Sequence, residues 1–532
     1  MSVTAASNGA TLPNESVYVA PTDLSGDTIT TSLQALLTTR HHSIIRHRFT
    51  VLDTFDGRVR RSGACLTCDG EGGRPRLVWQ SQGGGSQLVM RLKQPVSFAW
   101  DFPDGPLQKL LASVIGPRRL LAQADAEESG SLLDILDNRA KTVARLRIMS
   151  GQAKLPTATA AWQSLPTLVT LTGLRGYEEA FTRLAAVIES RPGFQSCQEG
   201  PLGVMLTRVG APIRGDLSVP RVDLDSTIPA GIGARQIHLA LLAILEANEP
   251  GLRGNLDTEF LHDFRVAVRR TRSLLSQIRG VFPEDEVQHF SAEFSWLGRL
   301  TGPPRDMDVL ALSLRQPQNE RPADDHEALM SALGHVQRQE HDRLALALDS
   351  DRYRTLLADW TSFLRRPSPS RPDAENADAP LRAVVSRRAW RLSRRIANNS
   401  ETVDERTPPE QIHALRIDAK KLRYLIDVTP AFYDAADLAC VLNALKKLQR
   451  ALGDFHDADV QERRLVECGR ALGAETSANV QMMLGRLAEQ SRQRRESLRR
   501  EVLGRLKRFR ARDIRSACRH AFKSAQPEER AR

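Results

Sequence analysis

The sequence predicts an α+β N-terminal domain followed by an all-α domain built from two four-helix bundles related by a pseudo-twofold axis. Three observations support this prediction. Short apolar runs separated by Gly and Asp clusters fill residues 47–148, as is typical of strands and turns. Beyond residue 226, apolar residues recur at helical spacing in almost every segment. Within that region one pattern occurs twice at a fixed offset, which indicates a duplicated structural unit.

The N-terminal part begins with polar and small residues over 1–40, so we expect a loose segment there. The α+β domain then spans residues 41–225. Predicted strands lie at residues 48–52, 76–79, 87–92, 142–148 and 168–171, and predicted helices at residues 107–123 and 177–190.

The all-α domain spans residues 226–515, with halves at 226–366 and 381–515. Residues 367–380 are rich in Pro, Ser, Ala and Asp, which predicts a disordered linker, and residues 516–532 form a basic tail. Predicted helices lie at residues 229–248, around His262, at 285–300, from Asp306 or Asp308 onward, within 326–364, and at 381–398, 410–427, 437–452 and 484–515.

The repeated pattern is a row of basic residues. Residues 262–272 read His-Asp-Phe-Arg-Val-Ala-Val-Arg-Arg-Thr-Arg, and residues 413–423 read His-Ala-Leu-Arg-Ile-Asp-Ala-Lys-Lys-Leu-Arg, 151 residues later. A second motif repeats at the same offset. Residues 305–309 read Arg-Asp-Met-Asp-Val and residues 456–460 read His-Asp-Ala-Asp-Val. Two related helices therefore each carry a row of cations.

Helical geometry places these cations on one face. At 3.6 residues per turn, the His and three basic residues of each copy share a face, and apolar residues lie opposite. Like charges at these spacings repel one another and destabilise a helix. A solvated basic face is the alternative for either helix alone, but the second copy in register favours an anion-binding site. The two rows are His262, Arg265, Arg269 and Arg272, and His413, Arg416, Lys420 and Arg423.

Composition narrows the class of partner. The chain of 532 residues has a formal net charge of +11, which indicates anionic partners. Residues 379–400 contain six Arg and no acid, and residues 484–523 contain fourteen Lys and Arg against four acids. Only 5% of residues are aromatic, whereas proteins that bind single-stranded nucleic acid stack bases on aromatic side chains. The expected polyanion therefore offers phosphates rather than bases.

Other compositional signals are weaker. Cys65 and Cys68 form a C-x-x-C pair with no second pair to complete a zinc site, so we predict no metal there. No signal-peptide pattern opens the chain and no apolar run approaches a membrane span. These observations predict a cytoplasmic protein with no membrane partner, and they leave the oligomeric state open.

The two duplicated motifs resemble those of the CHAD domain (conserved histidine α-helical domain) over about residues 226–515. The resemblance implies two four-helix bundles and binding of inorganic polyphosphate along a basic groove lined by both halves, with no catalysis and no cofactor. The residues that it implicates are His262, Arg265, Arg269, Arg270, Arg272, His413, Arg416, Lys420, Lys421 and Arg423. A second set, expected to extend the same surface, comprises Arg305, Arg387, Arg388, Arg391, Arg395 and His456.

The N-terminal domain resembles a CYTH-type triphosphate tunnel domain at residues 50–59 and 136–146. It lacks the Glu-x-Glu-x-Lys signature of that family, and residues 65–68 read Cys-Leu-Thr-Cys where the family has Leu-Arg-x-Arg. The missing carboxylates would hold the metal that neutralises phosphate charge. We therefore expect a degenerate, non-catalytic relative, and an unrelated α+β domain is the alternative.

Paired carboxylates can hold Mg²⁺, and the repeated second motif contains two such pairs: Asp306 with Asp308, and Asp457 with Asp459. Each pair follows a helix end that contains Gly and precedes an apolar periodic segment, so we expect helix capping or ion pairs that orient the Arg rows. No metal site is predicted.

Three hypotheses for function follow. The first is non-catalytic binding of inorganic polyphosphate, with association with polyphosphate granules as an extension. The second is a CYTH-type triphosphatase or phosphoryl-transfer enzyme that the helical domain supplies with polyanion. The third is nonspecific RNA binding. For the basic run at 492–519 three interpretations stay open: an extension of the groove, a separate nucleic-acid tail, or a solvated helix.

Overall fold

The structure is a computed structural model that describes residues 15–70, 74–81, 87–211, 220, 222–315, 323–366, 374–472 and 478–523. The chain divides into two compact units, Met1–Leu217 and Ser218–Arg532. The predicted order of an α+β region and then an all-α region is confirmed.

The first unit is built on one antiparallel sheet. Among the described residues it has nine strands in the order β5-β4-β3-β2-β6-β7-β8-β1-β9. The strands are β1 Glu15–Val19, β2 Thr39–Asp53, β3 Ala64–Asp69, β4 Arg76–Ser81, β5 Gln87–Arg91, β6 Leu121–Leu136, β7 Thr142–Lys154, β8 Gln163–Gly173 and β9 Gln195–Ser196. The helices are α1 Gly26–Gln34, α2 Arg58–Arg61, α3 Pro106–Ile115, α4 Glu178–Glu189 and α5 Gly200–Arg208.

The expectation of a loose segment over residues 1–40 differs from the structure. Residues 1–14 lie outside the described part, but β1 pairs with β8 and β9 and α1 buries Ile29 and Leu33 in the core. In both elements apolar side chains recur at strand or helix spacing. They can therefore be buried on one face although the segment as a whole is polar. The predicted helix 107–123 ends at Ile115 because Gly116 adopts a φ of 57° and Pro117 follows, a combination that stops a helix.

The likeness of the first unit to a tunnel domain stays a prediction. Residues 136–146 do form a β6-β7 hairpin, with Leu136 paired to Thr142. The strand pairs of the described residues run from β5 at one edge to β9 at the other without joining the two edges. The region therefore has the expected α+β class, and closure into a tunnel is not seen.

The second unit is all-helical. The first half has six helices among its described residues: α6 Ala230–Arg253, α7 Thr258–Gln277, α8 Glu284–Leu300, α9 Gly302–Arg315, α10 Ala323–Leu348 and α11 Asp351–Arg365. The second half has five: α12 Leu381–Asn399, α13 Pro409–Val428, α14 Ala435–Leu472, α15 Ala478–Phe509 and α16 Arg512–Cys518.

The helix count differs between the halves because α8 and α9 correspond to the single helix α14. Residues 302–304 read Gly-Pro-Pro, and the equivalent residues 453–455 read Gly-Asp-Phe. Proline lacks a backbone N–H and its ring clashes with the preceding turn, so the first half breaks at Thr301 and α9 begins at Gly302. The expected start at Asp306 or Asp308 is therefore wrong by about one turn.

Part of the segment predicted as a disordered linker is ordered. Residues 367–373 lie outside the described part, but residues 374–380 pack against the start of α6. The Ala230 N–H donates to the Ala379 carbonyl at 2.8 Å, and the Leu381 N–H donates to the Ile228 carbonyl at 2.9 Å. Pro229 and Pro380 pair as a two-residue bridge, so the starts of α6 and α12 hold the two halves together.

The predicted basic tail is also partly structured. Residues 516–523 complete α16 and a following π-turn, Arg519–Lys523. Cys518 and Phe522 are buried, because apolar residues at helical spacing face the core between the arginines. Residues 524–532 lie outside the described part.

Helix α6 is long and apolar enough, by length and composition, to cross a membrane, which the sequence analysis did not expect of any segment. In the structure 56% of its most apolar window is buried. Ile237, Leu241 and Leu245 face the interior of the helical unit, as expected for a core helix of a bundle.

Candidate anion-binding cleft

A cleft of about 950 Å³ lies between the two halves of the helical unit, with α7, α8 and α9 on one side and α13 and α14 on the other. Eight Lys and Arg and three His line it, against two Asp. The predicted site residues that line it are His262, Arg265, Arg269, Arg272, Arg305, His413, Arg416, Lys420, Lys421 and His456. The structure thus brings the two basic rows, 151 residues apart in sequence, to one surface.

The cations of the first half are held by backbone carbonyls. The Arg265 Nη1 donates to the Gly298 carbonyl at 2.9 Å and to the Thr301 Oγ1 at 3.2 Å. The Arg305 Nη1 donates to the Thr258 carbonyl at 3.0 Å. The Arg265 bonds use neutral acceptors, so this guanidinium is positioned without losing its net charge to an acid, whereas the Arg305 Nη2 also lies 3.7 Å from the Glu259 Oε1.

The second half places a histidine pair beside its cations. His413 and His456 approach to 3.2 Å between their Nδ1 atoms. The Arg416 Nη2 lies 3.9 Å from the Asp457 Oδ1, at the limit of an ion pair. Because the Asp457 side chain is 66% exposed, solvent screens this interaction, and the wall stays cationic.

Burial and the crowding of like charges lower the pKa values of basic groups in the cleft. Partial burial and then Arg269 lower the pKa of Lys420 to about 7, and the same two causes lower that of Arg265 to about 10. Burial and then Arg416 lower the pKa of His456 to about 3 and also lower that of His413. In the free protein both histidines are therefore neutral at pH 7.

Two guanidinium donors in the cleft have no protein acceptor. Within the described part of the chain, the buried Nε atoms of Arg269 and Arg416 lack a hydrogen-bond partner. A buried donor without a partner costs about 1–3 kcal/mol. Both residues line the cleft, one from each row.

Two predicted binding residues lie elsewhere. Arg270 and Arg423 both pair with Asp427: the Arg270 Nη2 lies 3.2 Å from its Oδ2, and the Arg423 Nε donates to its Oδ1. The Arg270 guanidinium also lies 5.4 Å from the Tyr424 ring centre. Arg270 therefore joins α7 to α13, whereas Arg423 pairs with Asp427 one turn further along the same helix, α13. Neither residue lines the cleft.

The four arginines of α12 also lie outside the cleft lining. Arg388 donates from Nε and Nη2 to the Gln277 Oε1 at 2.8 and 2.6 Å. The Arg395 Nε donates to the Asp418 Oδ2 at 2.7 Å. Arg387 and Arg391 are exposed. This set forms a separate surface next to the cleft.

The aspartate pairs do not cap helices, because all four lie inside α9 or α14. Asp308 is buried and accepts from the Gln337 Nε2 at 2.7 Å and the His341 Nε2 at 2.8 Å, both on α10. Asp459 accepts from the Arg495 Nη1 on α15 at 2.8 Å. The second Asp of each motif thus attaches its helix to the next long helix. No group of three or more metal-ligating side chains occurs among the described residues.

The sequence analysis missed part of the cleft. Arg464 of α14 pairs with Asp306 of α9 at 2.8 Å, so one ion pair spans the halves. Four serines line the first-half wall: Ser273, Ser276, Ser291 and Ser295. Ser276 continues the helical spacing of Arg269 and Arg272, a signal that could have identified it.

Part of the basic C-terminal run is paired with nearby acids. Arg492 bonds Glu489 at 2.7 Å, Arg495 bonds Asp459 at 2.8 Å and Arg505 bonds Glu501 at 3.2 Å. These pairs lie on or against α15. The run is therefore helical and packed against the second half up to Lys523.

The helical unit is similar to known proteins. Residues 236–466 match the family model of the CHAD domain. Two uncharacterized proteins of Mycobacterium tuberculosis are each 26% identical over 240 residues, which cover 43% of this chain and 44% of theirs. The match therefore spans less than half the length of these relatives.

Two solved structures are also similar. The crystal structure of the CHAD domain from the plant Ricinus communis has a TM-score of 0.46 and 24% identity, covering 54% of this chain and 94% of that one. PptA from Streptomyces chartreusis has a TM-score of 0.42 and 16% identity, covering 53% and 100%.

Proposed function

Because residues 236–466 form a CHAD domain, we propose that this chain binds inorganic polyphosphate in the cleft between the halves and performs no chemistry on it. The cations of α7 and α13 neutralise successive phosphates. The seryl hydroxyls of the first-half wall donate further hydrogen bonds. The ligand class follows from the lining, which offers many charge-assisted donors to phosphate oxygens.

The observation that carries this proposal is the excess of positive charge in the cleft, which the pairs of Arg305 with Glu259 and of Arg464 with Asp306 reduce only in part. Eight Lys and Arg face two Asp, and the pKa of Lys420 falls to about 7. A structural ion-pair network would hold the cations in their charged form. Here the cations destabilise one another, and a polyanion would remove that cost.

A competition titration tests the ligand class. Full-length protein is titrated with long-chain polyphosphate and with single-stranded RNA of matched charge, at physiological salt and then across a salt series. We expect polyphosphate to bind at least about 100-fold more tightly (about 2.7 kcal/mol), with affinity that falls steeply as salt rises. Equal affinities would favour the nonspecific RNA hypothesis.

A quadruple variant tests the site. Replacing Arg265, Arg269, Arg416 and Lys420 with Ala should abolish polyphosphate binding while circular dichroism shows unchanged helicity. The matched control replaces four exposed arginines elsewhere and lowers the net charge equally. Retention of binding by the cleft variant, or equal loss in the control, would refute the site. The control residues are Arg343, Arg354, Arg366 and Arg500.

The enzyme hypothesis has its own test. Phosphate release from tripolyphosphate is measured with Mg²⁺ or Mn²⁺, in the full chain and in a chain without residues 1–217. Our proposal expects no release from either. Release that disappears with the first unit would establish the triphosphatase alternative.

Cellular location follows from the same binding. In cells that accumulate polyphosphate granules, a fluorescent fusion of the full chain should collect on the granules, and the quadruple variant should stay diffuse. Granule association of both proteins would show that another surface directs it.

A further inference from the structure

A second basic surface lies beside the cleft on α12. Arg387, Arg388, Arg391, Arg394 and Arg395 project within one angular sector of that helix, about 120° wide at 3.6 residues per turn. Residues 379–400 contain no acid. Only Asp418, which pairs with Arg395, compensates any of this charge among the contacts described above. We call this surface the α12 patch, and Arg279, two residues beyond the end of α7, adjoins it.

The patch is held in place on the side that faces the cleft. Arg388 is fixed to Gln277 of α7 and Arg395 to Asp418 of α13. Gln277 is neutral, so Arg388 keeps its full charge. Its neighbours Arg279 and Arg391 are exposed.

Lys421 connects the patch to the cleft. It lines the cleft, and the charges of Arg395, Arg388 and Arg279, after partial burial, lower its pKa. Arg279, Arg395 and Arg391 act on Arg388 in the same way. Asp418, which bonds Arg395, lies three residues before Lys421 on α13, so Lys421 adjoins both the cleft and the α12 patch.

The first half has no equivalent surface. At the offset of 151 residues, the α12 patch corresponds to Gln236, Ile237, Ala240, Ala243 and Ile244 of α6, none of which is charged. Ile237 and Ile244 are buried. Any extension of the cleft along these two equivalent helices therefore lies on one side only.

We propose that a polyphosphate chain leaves the cleft past Lys421 and continues along the α12 patch, which makes binding depend on chain length. This inference rests on the proposed function. Arg388 to Arg395 span about 10 Å of helix at 1.5 Å per residue, which adds that much track to the cleft. A short oligophosphate fills the cleft without reaching the patch.

The test compares two ligands on full-length protein: tripolyphosphate and long-chain polyphosphate. The variant replaces Arg279, Arg388 and Arg391 with Gln, and the control replaces Arg343, Arg354 and Arg366 with Gln. We expect the variant to bind long chains at least about tenfold more weakly, with a salt slope reduced by about 2, and tripolyphosphate within twofold of wild type. The control should match wild type for both ligands.

Several results would overturn the inference. Unchanged affinity for long chains, or equal loss for both ligands, would show that no length-dependent extension exists. Loss of RNA binding with intact polyphosphate binding would make the patch a nucleic-acid surface. Because Arg388 bonds Gln277, the single variant Arg391→Gln is measured as well; it should show a smaller loss confined to long chains. The quadruple cleft variant separates the two proposals, since its failure to lose binding would refute the site itself.

Discussion

The two halves of the helical unit carry the same basic row but use equivalent residues differently. Arg272 faces the cleft, whereas its equivalent Arg423 pairs with Asp427. The difference traces to one position, because Asp427 corresponds to Ser276 at the offset of 151 residues. A single acid thus converts one row member from a ligand-facing cation into a structural one.

The same acid exchanges the roles of a second pair. Arg270 turns to Asp427 and is buried, while its equivalent Lys421 lines the cleft. A duplicated motif therefore supplies the same residue types twice, and the neighbours of each copy decide which members face the cleft. Substitutions at equivalent positions of the two halves test these roles.

The largest expected effect separates Arg270 from Lys421. Arg270→Ala should lower the free energy of unfolding by about 3 kcal/mol, the lower end of the cost of breaking a buried pair, because Arg423 still pairs with Asp427. Lys421→Ala should cost less than about 1 kcal/mol but should weaken polyphosphate binding. Urea unfolding followed by the helical signal, together with binding titrations, measures both. Equal destabilisation by the two variants would contradict the assigned roles.

The second prediction introduces the equivalent acid into the first half. Ser276→Asp places a carboxylate one turn beyond Arg272, as Asp427 lies beyond Arg423, so it should pair with Arg272. We expect polyphosphate affinity to fall about tenfold, or about 1.4 kcal/mol. Ser276→Asn is the control of similar size and should change affinity little. Titration calorimetry measures both variants, and equal affinities would mean that Arg272 does not contact the chain.

A third effect separates Lys420 from its equivalent Arg269 by pH. Below pH 7 the Lys420 ammonium is already charged in the free protein, given its pKa of about 7. Above pH 7 the free amine is neutral and must take up a proton to bind phosphate, so affinity should fall by up to about tenfold per pH unit.

Lys420→Arg should remove this part of the pH dependence, because a guanidinium stays charged. The remaining change, at lower pH, would come from His413 and His456, which lie beside Arg416 and Lys420 and become protonated as phosphate binds. Binding titrations from pH 6 to pH 9 compare wild type and variant. Identical pH profiles would show that Lys420 is not the titrating group.

Much of the architecture could be read from sequence because it depends on local periodicity. The α7 and α13 rows, their shared cleft and most helix bounds follow from spacing and from the offset of 151 residues. The break between α8 and α9 was predicted, because Pro303 and Pro304 have no equivalent at residues 454 and 455, but the continuation of α14 to Leu472 was missed. The strands β1, β3, β6 and β9 were also missed: β1, β3 and β9 are short, and acidic residues interrupt the apolar pattern of β6.

The roles of individual cations could not be read in the same way. Arg270 has the residue type and the spacing of a cleft cation, and only the approach of α7 to α13 reveals that it pairs with Asp427. The pair of Arg423 with Asp427 is local to α13 and was missed although its i,i+4 spacing is visible in the sequence. The charge state of the histidines depends on how many arginines surround them after folding. Long-range packing decides both properties, and a single sequence does not record it.

The smallest expected effect compares the glycines of the two cleft walls. Gly453 lies inside α14, and a Cβ there would meet nothing within 4 Å, so Gly453→Ala should stabilise the protein by about 1 kcal/mol through helix propensity. Gly302 is the first residue of α9, where that gain is smaller, and its Cβ would lie 3.5 Å from the Arg265 Nη1. Urea unfolding should therefore rank Gly453→Ala above Gly302→Ala.

Both residues line or adjoin the cleft, so polyphosphate affinity measured on the two variants reports how closely the chain approaches each wall. A loss confined to Gly302→Ala would place the chain against Arg265, whereas a loss confined to Gly453→Ala would place it against α14.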